Sequence, residues 1–393
     1  MATLKILVTG GGSSGHISPA LAIIKTLQEL AAQTGADWTP RFLYLGGKRG
    51  LEKDLVEKAG IPFVGVETGK LRRYLSRENL TDLFRIPVGT WQALQEVRNF
   101  RPDVVLATGG YVAVPPVIAA AMLRVPILIH EQTVQIGLAN RITARFATRI
   151  ALSFESAMYE LPPALRHKAF VAGNPVRSTI FNGQAEEARR HFSFNPDDDS
   201  LPTLYVTGGS QGARILNRAV EAVLPDLLSV CRIIHQCGQQ PPGQEQDYDR
   251  LQRAVSQLSP ELSRRYGLTR FIAEELKHVF ALADLVVGRA GAGTVSELCA
   301  LGKPAIYVPL VPTGGDEQTR NAKMCQRVGA AIIIPQADFD GLSLLSEVKT
   351  LLADKSRLDV MGRAASSLAK PNAARDMAEA VLALVKDGGH TRR

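Results

Sequence analysis

One local phrase occurs twice in this chain and constrains its fold more than any other feature: an apolar run, a glycine-rich turn, then an amphipathic run. Leu4 to Val8 enters Gly10-Gly11-Gly12-Ser13-Ser14-Gly15-His16-Ile17-Ser18-Pro19 and leaves through Ala20 to Leu30. In the second half, Thr203-Leu204-Tyr205-Val206-Thr207 enters Gly208-Gly209-Ser210-Gln211-Gly212-Ala213-Arg214 and leaves through Ile215-Leu216-Asn217. Each reads as a strand, a turn and a helix N-terminus. Glycines let a ligand approach the main chain, and unpaired N–H groups at the positive end of the helix dipole face it. An anionic or polar ligand is expected at both turns, and the repetition implies two similar halves.

The rest of the chain keeps this grammar. Short apolar runs at Arg41 to Leu45, Pro62 to Val66, Asp103 to Ala107, Ile127 to His130, Arg149 to Leu152 and Ala169 to Val171 alternate with helical runs in the first half. The second half continues with Cys231 to Gln236, Leu268 to Ile272, Leu285 to Val287, Ala305 to Val308 and Ala330 to Ile334. Strands that are apolar throughout and alternate with helices predict an α/β fold with parallel sheets covered on both faces. A length of 393 residues suits two domains, because single cores stop growing at about 250–300 residues. The expected division is 1–177 and 178–372, joined by a linker at about 175–200, with a C-terminal helix and tail over 373–393 whose end frays from Lys386. The expected architecture is two doubly wound, Rossmann-like domains facing a cleft. In such sheets ligands bind at the carboxyl ends of the strands, which makes that cleft the default site.

A formal net charge of +8 asks for an anionic partner. Nucleic acid is excluded by the absence of any recognition motif and by an aromatic content of only 6%. A stretch from Lys70 to Ile86 interleaves Arg72, Arg73, Arg77 and Arg85 with Leu71, Leu75, Leu83 and Phe84, the composition of a patch that lies on an anionic membrane surface. The same stretch also suits a solvated loop leading into an amphipathic core helix. No uninterrupted apolar run is long enough to span a bilayer, and Met1 leads directly into a strand, so neither a transmembrane helix nor a targeting segment is expected. Cys231, Cys237, Cys299 and Cys325 form no CxxC pair, so free thiols in a reducing cytoplasm are expected.

Four further features carry chemistry. Gly10-x-Gly12-x-x-Gly15 matches the dinucleotide fingerprint literally, but the second strand ends Tyr44-Leu45-Gly46-Gly47 without the acid that would hold a ribose, which argues against a nicotinamide oxidoreductase. His16 begins the first helix within the turn and is a candidate general base, with a capping or surface role as the plain alternative. Thr108-Gly109-Gly110-Tyr111 and His130-Glu131-Gln132-Thr133 follow strands and gather polar groups at the same sheet edge, where His130-Glu131 could equally be a strand-end hydrogen-bond pair. Gly288 to Glu297 offers a cradle of amides for a pyrophosphate, with Glu297 for ribose hydroxyls, and Pro312 to Asn321 offers polar groups for a sugar. No His, Cys or carboxylate spacing supports a metal, so none is expected.

In combination and order, Gly11-Gly12-x-x-Gly15-His16, Gly109-Gly110-Tyr111, His130-Glu131-Gln132, Gly173-Asn174-Pro175-Val176-Arg177, Gly208 to Arg214, Gly291 to Glu297 and Gln318-Thr319-Arg320-Asn321-Ala322 make the chain resemble family 28 of the GT-B glycosyltransferases. These are the peptidoglycan N-acetylglucosaminyltransferases that convert lipid I to lipid II, and the resemblance runs from Gly10 to about Asn372. It implies a metal-independent, inverting transfer of N-acetylglucosamine from UDP-GlcNAc to a polyprenyl-pyrophosphoryl acceptor by a peripheral protein on the cytoplasmic face of the plasma membrane. By the same resemblance His16 is the catalytic base or an acceptor contact. Gly12, Tyr111, His130 and Glu131 serve the acceptor. The donor falls to Ser13, Ser14, Gly15, Thr133, Arg177, Ser210, Ile272, Ala292, Gly293, Thr294, Glu297, Glu317, Gln318 and Asn321. In that assignment Arg177 and Ser210 meet the diphosphate, Ile272 the uracil through its backbone, Glu297 the ribose, and Gln318 with Glu317 the sugar. The chain departs from the family's pattern at Ser14, Thr133 and Glu317, where glycine, asparagine, and glutamine or histidine are usual. A glycolipid glycosyltransferase of other specificity, a UDP-GlcNAc epimerase and a non-catalytic sugar-nucleotide sensor are the remaining alternatives.

Overall fold

The structure is a computed structural model that describes residues 2–33, 35–48, 50, 52–69, 77–195, 198, 200–241, 243–311 and 316–391. The chain forms two compact units, one of Met1–Arg177 with Lys370–Arg393 and one of Ser178–Ala369.

Among the described residues the first unit holds seven parallel strands: β1 (Ala2–Thr9), β2 (Trp38–Gly47), β3 (Phe63–Val66), β4 (Val104–Ala107), β5 (Ile127–Glu131), β6 (Arg149–Leu152) and β7 (Ala169–Val171), ordered β3-β2-β1-β4-β5-β6-β7. Side chains alternate between faces along a strand, so an apolar run fills two cores at once. Leu7 joins Leu45, Val105 and Ile127 in one cluster, while its neighbours Ile6 and Val8 join Tyr44, Leu106 and Leu128 in the other. The second cluster is closed by Ile17, Ile23 and Leu27 of the helix Ser14–Ala31 and by Met377, Ala378 and Val381 of the terminal helix Ala373–Thr391. Each large apolar side chain so buried contributes roughly 1.5–3 kcal/mol, which ties the terminal helix to the first unit. That helix continues to Thr391 instead of fraying from Lys386.

The second unit repeats the plan with β8 (Thr203–Thr207), β9 (Arg232–Gln236), β10 (Tyr266–Thr269), β11 (Leu285–Gly288), β12 (Ala305–Tyr307) and β13 (Ala331–Ile333), ordered β10-β9-β8-β11-β12-β13 and all parallel. The described part of the stretch read from sequence as a linker carries two short helices and core contacts. Ser178–Asn182 forms a 3-10 helix and Ala185–His191 an α-helix, and Ala188 and Phe194 are buried in the core of this unit. Two helices to which the sequence reading gives no element, Gly341–Leu352 and Lys355–Ser367, complete the layer, the first opened by a capping box between Asp340 and Ser343. The four cysteines are free and buried, and among the described residues no helix is long and apolar enough to cross a membrane.

Strand order reverses between β1 and β4 in one sheet and between β8 and β11 in the other. At such a switch point the chain leaves neighbouring strands in opposite directions, and a crevice opens outside their carboxyl ends. The four turns at these points are the glycine-rich ones: Gly10–Ser13, Thr108–Gly110, Gly208–Ala213 and Gly288–Gly291.

Candidate active site

In the first unit the turns after β1 and β4 interlock. Gly11 N–H donates to Gly109 O at 3.2 Å, Tyr44 OH donates to Gly10 O at 2.7 Å, and Thr108 Oγ1 donates to His16 O at 2.7 Å. Gly110 has φ +81°, and a Cβ there would strike the carbonyl of Gly11, so only glycine permits the approach. A Cβ on Gly12 would come within 2.6 Å of the Tyr111 ring. Gly12 and Tyr111, both expected at the acceptor, are therefore neighbours. Beside them His16 is half-buried, with Nδ1 3.0 Å from the Thr108 carbonyl. A carbonyl only accepts, so Nδ1 carries the proton and Nε2 keeps its lone pair, the tautomer a general base requires. Ser13 and Gly15 are exposed at the start of the helix, and Ser14 is its first residue.

His130 and Glu131, given to the acceptor by resemblance, are engaged in internal hydrogen bonds, the strand-end alternative that the sequence reading left open. His130 is fully buried, its Nε2–H shared between Gly173 O at 3.1 Å and Ser153 Oγ at 3.0 Å. Glu131 is 3% exposed, and its carboxylate accepts from Thr133 N, Thr133 Oγ1, Gly137 N and Asn140 Nδ2 at 2.8–3.1 Å. Both side chains hold the segment after β5 in shape. Thr133 is occupied in the same clamp, its hydroxyl lying 2.8 Å from Glu131 Oε1 and 2.6 Å from Gln135 O. This leaves it poorly placed for the sugar contact expected of it. Arg177 is exposed at the end of the first unit.

In the second unit Ser210 is exposed on the turn after β8. Ile272, on the segment after β10, is 5% exposed, and its N–H is taken by Gln236 Oε1 at 3.0 Å. A uracil would therefore find the Ile272 N–H already engaged. The helix Ala292–Ala300 starts without a side-chain cap, and added Cβ atoms at Gly291 and Gly293 would meet nothing within 4 Å. The backbone at Gly291 and Gly293 borders open space, with Ala292, Gly293, Thr294 and Glu297 half-buried around it. That is a ready anion cradle. Glu317 and Gln318 open the helix Glu317–Arg327, with Gln318 Oε1 accepting from Leu310 N at 3.0 Å. Asn321, expected at the donor, is 1% exposed, and its Nδ2 donates to Ala290 O at 3.1 Å, which ties this helix to the turn after β11. Of the remaining sequence candidates, Arg72, Arg73 and Leu75 lie outside the described residues, as do the side chains of Ser14, Arg77 and Phe84 and the loop 312–315; Arg85 is exposed. Among the described residues no group of three His, Cys, Asp or Glu could hold a metal ion.

Buried polar residues brace these turns; Gln132 belongs to a motif the sequence reading names, whereas Asn140, Asn217, His235 and Tyr266 are given no role there. Gln132 Nε2 donates to the Thr108 carbonyl that also receives His16, and Asn140 Nδ2 donates to His130 O at 3.0 Å. Under the second glycine turn, Tyr266 OH donates to His235 Nδ1 at 2.6 Å and His235 Nε2–H donates to Asn217 Oδ1 at 2.9 Å. Asn217 Nδ2 then reaches Cys237 O at 2.9 Å and Asp247 Oδ2 at 2.7 Å. Burial pushes His130 and His235 down to about 3 from 6.5. A folded-state value below the unfolded one means that the unfolded chain binds more protons between the two. Stability is therefore present above about pH 6.5 and lost as pH falls through that window. Thermal unfolding midpoints should fall steadily between about pH 6.5 and pH 4; a flat profile there would contradict buried neutral histidines.

Two doubly wound parallel-sheet units with glycine turns at their switch points make up the GT-B architecture. The N-terminal domain of glycosyltransferase family 28 matches residues 6–152, and the C-terminal domain of that family matches residues 203–380. The chain belongs to glycosyltransferase family 28. It is 35% identical over 390 residues to the UDP-N-acetylglucosamine--N-acetylmuramyl-(pentapeptide) pyrophosphoryl-undecaprenol N-acetylglucosamine transferase of Listeria welshimeri, covering 98% of this chain and 100% of that protein. To the transferase of the same name from Treponema pallidum it is 38% identical over 385 residues, covering 98% and 96%. The crystal structure of Acinetobacter baumannii MurG superimposes with a TM-score of 0.71 at 27% identity, covering 96% of this chain and 99% of that one.

Proposed function

We propose that this chain transfers N-acetylglucosamine from UDP-GlcNAc to the 4-hydroxyl of the N-acetylmuramyl residue of lipid I, a polyprenyl-pyrophosphoryl acceptor, giving lipid II with inversion. The observation that carries this reading is the match, over 98% of the chain, to transferases named for that donor and acceptor. The second unit takes the donor. Its diphosphate lies against the turn at Ser210 and the N-terminus of Ala292–Ala300, with Arg177 as a cationic partner, Glu297 accepting from ribose hydroxyls, and Glu317 and Gln318 reaching the sugar. The first unit takes the acceptor at Gly12, Tyr111 and His16.

In a single displacement the acceptor oxygen bonds to the anomeric carbon as the bond to UDP breaks. His16 Nε2 receives the hydroxyl proton, and the charge that develops on the departing diphosphate meets backbone N–H groups and a positive helix end. The test is UDP release in EDTA, with and without a short-chain lipid I analogue. Acceptor-dependent release with a product gain of one N-acetylhexosamine is expected. Donor binding without transfer to that acceptor would overturn the reading.

The chain works as a peripheral protein on the cytoplasmic face of the plasma membrane. Support comes from the helix Arg77–Phe100, where Arg85, Val88 and Trp91 recur at three-residue spacing on one face, Trp91 being 60% exposed. Met122 and Arg124, at the end of the adjoining helix Val114–Met122, are exposed as well. A surface of this kind sets aromatic and aliphatic groups into the interface and draws anionic headgroups to arginine. A basic residue near such a surface is worth about 1 kcal/mol. Arg85→Glu with Trp91→Glu should therefore weaken binding to anionic vesicles by roughly tenfold or more while leaving turnover of a water-soluble acceptor intact. Equal vesicle binding by the variant would reject the membrane role.

A further inference from the structure

We propose that Gln236 is the positioning residue of the nucleotide-sugar subsite. It locks the turn after β8 to the segment after β10 so that Ser210 presents its backbone N–H to the donor diphosphate; this rests on the donor reading above. Gln236 ends β9 and is 5% exposed. Its Nε2 donates to Thr207 Oγ1 at 3.2 Å and to Gly209 O at 3.0 Å, and its Oε1 accepts from Ile272 N at 3.0 Å. Both hydrogens and the oxygen of the carboxamide are thus engaged, which leaves the side chain suited to alignment and not to substrate contact.

The consequence for Ser210 follows from peptide geometry. Gly209 O accepts from Gln236 and also from Gly212 N at 3.0 Å, while Gly209 N donates to Thr207 Oγ1 at 3.1 Å. The carbonyl of a trans peptide and the N–H that follows it point in opposite directions. Fixing Gly209 O on the buried Gln236 therefore aims Ser210 N–H outward, on an exposed residue. Gly209 has φ +83° and no atom within 4 Å of an added Cβ, so the turn borders open space. An anion cradle works through amides held in place before the ligand arrives. The same carboxamide holds Ile272, so the elements expected at the two ends of UDP are aligned by one side chain.

Gln236→Met removes all three hydrogen bonds at nearly constant volume. It should raise the KM for UDP-GlcNAc by roughly 10- to 100-fold, leave kcat and the acceptor KM within about threefold, and weaken UDP more than uridine. Gln236→Glu, which keeps the acceptor for Ile272 and removes the donor to Gly209, should move the donor KM in the same direction. A folded variant that loses thermal stability alone, with donor kinetics unchanged, overturns the proposal. Glu297→Ala, run in parallel, separates the two claims. If it raises the donor KM and Gln236→Met does not, only the positioning role fails; if neither does, the donor reading fails. In the unmodified enzyme, amide hydrogen exchange tests the geometry independently of any variant. The Ile272 amide should be protected without ligand, and the Ser210 amide should become protected only when UDP is added. A Ser210 amide that UDP leaves unchanged overturns the proposal.

Discussion

Replacing His16 with alanine is expected to lower kcat by roughly 10²–10⁴-fold with little change in the KM of either substrate. The expectation rests on the tautomer. The Thr108 carbonyl, 3.0 Å from Nδ1, can only accept, so it holds the proton on Nδ1 and leaves Nε2 basic, and Gln132 donates to the same carbonyl. His16→Gln discriminates between the two roles open to this residue. Glutamine offers a polar group of similar reach but no basic nitrogen, so a general base is lost in both variants, whereas a ligand contact survives in part. Steady-state kinetics with a soluble acceptor decides it. A kcat within a few-fold of the parent in His16→Gln would remove the base assignment.

Glu131→Ala is expected to destabilise the first unit by roughly 2–4 kcal/mol, because a buried donor left without a partner costs about 1–3 kcal/mol and half-buried donors add less. Three groups lose their acceptor: the N–H groups of Thr133 and Gly137 and the amide of Asn140. Against a domain stability of about 5–15 kcal/mol, that loss should appear as an early unfolding transition and as new proteolytic cleavage within residues 132–137. Activity should fall with it, since Asn140 also braces the His130 carbonyl and a Cβ on Gly109 would lie 3.1 Å from its amide nitrogen. A residue that merely touched the acceptor would behave differently, raising the acceptor KM with the unfolding profile unchanged. That result would return Glu131 to the ligand-contact role that its place at a strand end suggests.

These two residues show how far the sequence could be read. His16 and Glu131 are both polar residues following apolar strands; the sequence reading makes one the candidate base and the other an acceptor contact or a strand-end pair, and no local pattern tells which side chain is left accessible. The difference is one of surroundings: the helix N-terminus leaves His16 half-buried, while the segment after β5 folds back over Glu131. Asn321 shows the same limit, since a carboxamide in the first turns of a helix can face a sugar or a neighbouring turn, and only the structure shows that its Nδ2 bonds Ala290 O. The folded segment Ser178–His191 escaped because it is short and polar and anchors through few apolar side chains, among them Ile180 and Ala188. Gln236 carried no signal at all, for nothing near it in the chain marks the end of a strand as a bridge between two turns.

By itself the sequence determined the local grammar: which runs are strands buried on both faces, where glycine turns meet helix N-termini, and that the phrase occurs twice. Those properties depend on periodicity and backbone freedom within a few residues. Only the tertiary structure decided which polar groups are left for chemistry and which are consumed in holding the turns. That choice is made by partners distant in the chain, 92 residues apart for His16 and Thr108 and 36 for Gln236 and Ile272. A hydrogen bond formed across such a separation exists only once the sheet has brought its strand ends together, and no local pattern encodes it.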